Sequence, residues 1–70
     1  MNKKQSAVLH AARAYRFAVL NCDMAGVLED SGESVPRSSN SWYEEVERQQ
    51  RALFDALEAI DGPFVYEGMS

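Results

Sequence analysis

The sequence predicts an all-α chain: a two-helix antiparallel hairpin, dimerising into a four-helix arrangement. Three observations carry this expectation. Two stretches repeat apolar residues at helical spacing, namely Val8, Ala12, Tyr15, Val19 and Cys22 in the first and Val46, Leu53, Leu57 and Ile60 in the second. A polar, serine-rich segment holding Gly32 and Pro36 separates them. The chain has only 70 residues, a single domain 1–70 near the lower size limit for independent folding, where one core leaves about 3–5 kcal/mol. Such a chain needs a staple. Cys22 is the only cysteine and His10 the only histidine, which excludes a disulfide framework and a metal cluster, and leaves oligomerisation.

The first helix is expected over about 6–27. With residues placed every 100°, Ala11, Ala14, Ala18 and Ala25 fall beside its stripe; side chains this small permit close approach of a second helix. On the far side Leu9, Phe17, Leu20 and Met24 make a second apolar strip, interleaved with His10, Arg13 and Arg16. A helix that is apolar on two sides has partners on both, so this strip is the expected dimer interface.

Residues 28–40 are the expected linker, acidic and Ser-containing, with Pro36 blocking helix continuation. About a dozen residues is long for a helix–helix connection, which points to a loop with a role or with disorder.

The second helix is expected over 42–61. Ser41 and Glu44 have the spacing of a capping box, and Glu44, Glu45 and Glu47 suit the positive end of the helix dipole. Gln50 interrupts the apolar stripe, and Gly62 followed by Pro63 ends the helix. In the tail, 62–70, Phe64, Val65 and Tyr66 are expected to fold back over one end of the core.

Trp42 and Tyr43 stand at the mouth of this helix on either side of its stripe. Trp42 is expected to pack inward and Tyr43 to present its ring and hydroxyl beside Arg37. Tryptophan, tyrosine and arginine dominate binding hot spots. The candidate partner-binding residues are therefore Trp42, Tyr43, Arg37, His10, Arg13 and Arg16.

The net charge of −4 is unevenly placed. Residues 1–27 carry four basic side chains against one acid, and residues 28–70 carry three against ten. The two halves should attract each other, while the overall acidity argues against nonspecific nucleic-acid binding. Catalysis is not expected. His10 and Cys22 point about 120° apart on one helix and cannot pair as base and nucleophile; Cys22 fits a small buried hydrophobe, and Glu44 and Glu45 are explained by capping. No glycine-rich phosphate loop is present, and no cofactor is expected. Arg13 and Arg16 interrupt the only stretch resembling an export signal, and no window is long and apolar enough to span a membrane. The expectation is a cytoplasmic chain.

The alanine-rich "HAARAYRFAVL", the polar linker, and a second helix introduced by "SNSWYEEVE" together resemble the small helical-hairpin proteins of phages that inhibit host proteins, quorum-sensing anti-activators among them. Trp42 and Tyr43 match that family's aromatic lead into the second helix in kind. The resemblance implies a viral homodimer in the host cytoplasm that binds and inhibits a host regulator or defence component. The residues alone also admit a hairpin that sequesters a cyclic nucleotide signal at a subunit interface, or a structural or regulatory subunit.

Overall fold

The computed structural model describes residues 1–68. Two helices, α1 (Lys3–Asp30) and α2 (Ser39–Asp61), pack against each other, and no strand occurs among the described residues. The hairpin is antiparallel: Phe17 meets Trp42 while Cys22, further along α1, meets the earlier Ser39.

Both helices are longer than their apolar periodicity suggests, and caps explain each extension. Asn2 stands before α1 in extended conformation; its side chain accepts from the Gln5 N–H at 2.8 Å, and the Gln5 side chain accepts from the Asn2 N–H at 3.1 Å. This reciprocal box satisfies two of the four free first-turn donors, so the helix begins at Lys3 instead of Ser6. At the other end Gly32 has a φ of 81°, a conformation costly for any residue with a Cβ. There the Glu33 N–H donates to the Leu28 carbonyl and the Gly32 N–H to that of Glu29, a Schellman closure. The expected linker 28–40 shrinks to residues 31–38.

The expected Ser41–Glu44 capping box does not form. Ser38 is the N-cap of α2, and the Ser41 N–H donates to the Ser38 Oγ at 3.2 Å. The Ser41 hydroxyl is engaged by Arg37, and the helix starts three residues before Trp42. A carboxylate from α1 completes the cap: Glu29 Oε2 accepts from the Ser39 N–H at 3.2 Å. This places negative charge at the positive end of α2 and ties the two helices together at the turn. The loop is held at both ends by these contacts.

The seam is built on alanine. Ala11, Ala18 and Ala25, seven residues apart, are the buried hydrophobics, and Ala18 is 0% exposed. Val8, Tyr15, Cys22 and Glu29, also seven apart, line the same edge half-buried, so α1 presents a continuous 3–4 spacing of the kind that seams coiled coils. From α2, Trp42, Val46, Gln49, Leu53 and Ala56 face them, all half-buried. Gln49 occupies the seam, while Gln50, which breaks the sequence pattern, points outward. Cys22 is half-buried and not fully enclosed; its Sγ donates to the Ser39 carbonyl at 3.6 Å.

The molecule is one helix layer deep, with extents of 48 × 34 × 12 Å and a radius of gyration of 15.6 Å. A compact 70-residue chain would have a radius of about 11 Å. The tail does not cover the core as expected: Phe64 is 87% exposed, and Val65 and Tyr66 are also exposed. Positions 69–70 lie outside the described residues. The expected attraction between the halves makes no ion pair between the helices among the described residues; the pair present is Arg48 with Glu45, within α2.

Candidate functional site

At the turn end of the hairpin, three side chains from three different segments converge. The Arg37 guanidinium lies 4.2 Å from the centre of the Trp42 ring. On another side, Phe17 of α1 meets the same ring edge-on, with centroids 5.7 Å apart and planes at 74°. Arg37 is fixed in place by α2 itself: its Nε donates to Ser41 Oγ at 2.8 Å and its Nη2 to the Ser41 carbonyl at 3.3 Å. Within α1, Asn21 Nδ2 donates to the Phe17 carbonyl at 2.8 Å. The positive charge over the face of an indole and the edge-on ring are both favoured by the π quadrupole. Trp42 thus packs inward as expected. Arg37 goes to Trp42, and not beside Tyr43, because Ser41 and Trp42 are adjacent and one guanidinium can bond the first while stacking on the second.

Tyr43 is 58% exposed. His10, Arg13 and Arg16 are exposed as well, and none forms an ion pair among the described residues. They interleave with Leu9, Leu20 and Met24 on the side of α1 away from the seam, and Phe17 stands where this strip meets the Trp42 cluster. The apolar members are exposed, Phe17 to 62% and Leu20 to 54%. Val27 extends the row by about one turn beyond Met24 and was not singled out in the sequence, although it lies seven residues beyond Leu20. The outer face of α1 is therefore a line of large apolar side chains with arginines beside it.

A second apolar area was missed by sequence reasoning. Phe54, absent from the expected α2 stripe, is exposed together with Tyr43 and Leu57. At the end of α2, an open groove of about 830 Å³ runs between the helix and the tail, lined by Phe54, Leu57, Glu58, Asp61 and 62–65. Its charged lining is acidic.

His10 and Cys22 are separated by twelve residues of one helix, about 18 Å along its axis. No group of three or more acidic, histidine or cysteine side chains is disposed to hold a metal among the described residues. No helix of the described residues is long and apolar enough to cross a membrane. No protein-family model, no curated protein and no solved structure matches the chain.

Proposed function

We propose that this chain is a non-enzymatic interaction module: a homodimeric, four-helix assembly in the cytoplasm that docks on another protein and inhibits it. The observation that supports docking is the outer face of α1, where Leu9, Leu20, Met24 and Val27 stand exposed on a helix whose opposite side is already sealed by alanine. Solvent-facing helix surfaces are polar unless something covers them. The arginines set the chemistry of the partner. Arg13 and Arg16 flank the apolar row and form no ion pair among the described residues, so the complementary surface is an apolar patch with an acidic rim. The resemblance in layout to phage hairpins that inhibit host regulators or defence components supports inhibition as the outcome. The single unpaired cysteine supports a reducing compartment.

The test is affinity capture with wild-type protein and the Leu20→Glu variant in parallel, the retained proteins being identified by mass spectrometry. One protein held by the wild type and lost with Leu20→Glu is the expected result. Identical sets retained by both would sink the outer face of α1 as the docking surface. An Arg13→Glu, Arg16→Glu double variant is expected to weaken the same complex and to remove most of its salt dependence.

A further inference from the structure

The flat side of the hairpin carries a different surface from the outer row of α1. With the seam along Ala11, Ala18 and Ala25, the 100° step places Val8, Ala12, Val19 and Gly26 on one flat side of α1, with Tyr15 at its inner border. α2 runs the opposite way, and the same construction from its seam at Trp42, Gln49 and Leu53 puts Tyr43, Gln50, Leu57 and Phe54 on that same side. By the same step Asp30 lies in the direction of Ala12 and Asp61 in that of Tyr43, so each end of this side carries an acid while its middle is uncharged, with Asp23 and Glu47 just beyond its borders. The α1 half is low, built of Val, Ala and Gly, and at Gly26 an added Cβ would meet nothing within 4 Å. The α2 half is high, with two aromatic rings.

We propose that this flat face is where a second copy of the chain packs, related by a two-fold axis parallel to the helices. The inference rests on the homodimer reading above and assigns it a surface and a geometry. Such an axis sets the high α2 half of each copy on the low α1 half of the other, which is the self-complementarity that an isologous contact needs. It keeps every residue at its own height, and the contacts of Phe17 with Trp42 and Cys22 with Ser39 fix those heights within the hairpin. Tyr43 of one copy then lies within a turn of Val19 in the other, and Phe54 within a turn of Val8. All adjacent helices are antiparallel in the resulting bundle.

Area selects this occupant. The chain exposes 5756 Å², where a compact monomer of 7.8 kDa would expose about 4,400 Å². The excess of about 1,400 Å², to which the exposed tail also contributes, is more than the roughly 800 Å² per partner that a standard interface needs. A second layer also supplies what a domain normally has and this hairpin lacks. The middle of this face carries no charge with which to steer a charged heterologous partner, whereas the arginine-flanked outer row of α1 does.

The test is carried out on the purified full chain, without any partner, so it fails or succeeds independently of the capture experiment. Light scattering after size exclusion at tens of micromolar is expected to give twice the mass of the chain. Phe54→Glu, which buries a carboxylate against Val8 of the other copy, is expected to raise the dimer dissociation constant about 100-fold or more with helicity retained. Leu20→Glu, on the strip that the sequence suggested as the dimer interface, is expected under this proposal to leave the mass unchanged. A monomeric wild type, or a dimer lost with Leu20→Glu and kept with Phe54→Glu, overturns the proposal. Cysteine trapping removes dependence on a variant that fails to fold: in a Cys22→Ser background, Val19→Cys with Tyr43→Cys is expected to give a covalent dimer under mild oxidation. Val27→Cys with Tyr43→Cys, which uses the outer row, is expected to give none, and the reverse pattern overturns the assignment.

Discussion

Single residues settle where α2 begins. Ser38, Ser39, Asn40 and Ser41 are four consecutive side chains able to cap a helix, so the sequence leaves the start of α2 open across one full turn. Tertiary contacts close it: Glu29 takes the Ser39 N–H, Arg37 takes the Ser41 hydroxyl, and Ser38 is left to accept from the Ser41 N–H. Ser38→Ala is accordingly expected to cost about 1 kcal/mol in urea melts. Ser41→Ala leaves the cap intact and loses only one anchor of Arg37; a larger loss for Ser41→Ala than for Ser38→Ala would return the cap to Ser41. The Arg37 stack makes a second prediction. Lysine keeps the charge but has neither the planar face nor the fork that holds Ser41 and Trp42 together, so Arg37→Lys is expected to cost about 1 kcal/mol. Emission from Trp42, the only tryptophan, should report a changed environment in the folded baseline. An unchanged baseline and midpoint would show that the guanidinium adds nothing a flexible ammonium does not.

At the scale of the element, the inward face of α1 was legible because its periodicity is strong: Val8, Tyr15 and Cys22 do line the seam. Which residues lie deepest was less legible. Large side chains dominate a hydrophobic stripe on paper, whereas two helices approach most closely where side chains are smallest, and here those are Ala11, Ala18 and Ala25. The α2 stripe misled for a related reason. Leu57 and Ile60 are exposed, and Gln49 with Ala56 takes the seam, because a partner helix of alanines draws in whatever lets the backbone come near. The tail was misread because three apolar residues suggest burial, but Gly62 (φ of 83°) and Pro63 turn the chain away from the seam at the end of α2. Ala18→Leu tests the close approach directly. Adding three carbons at a fully buried contact is expected to cost about 1–3 kcal/mol, while Ala59→Leu, on the exposed side of α2, stays within about 0.5 kcal/mol. Equal effects at the two sites would mean that the helices are not held at alanine distance.

For the whole molecule, the balance between burial and exposure decides whether the hairpin can be a folded species alone. Among the described residues its buried hydrophobics are three alanines, and each such methyl group is worth only about 0.8 kcal/mol, against a backbone ordering cost of about 1–2 kcal/mol for every residue fixed. The half-buried residues along the seam narrow that gap. The flat face, once covered, buries several side chains larger than any alanine. Folding and association are then one event, and thermal stability depends on protein concentration by mass action. For a two-chain unit of twice 70 residues, a hundredfold dilution removes about 2.7 kcal/mol per mole of dimer and lowers the melting midpoint by roughly 9 °C. Circular dichroism melts from a few micromolar to a few hundred micromolar measure this. A midpoint independent of concentration over that range would mean that the hairpin folds as a monomer on its alanine seam, and that its flat face is free for something other than a second copy.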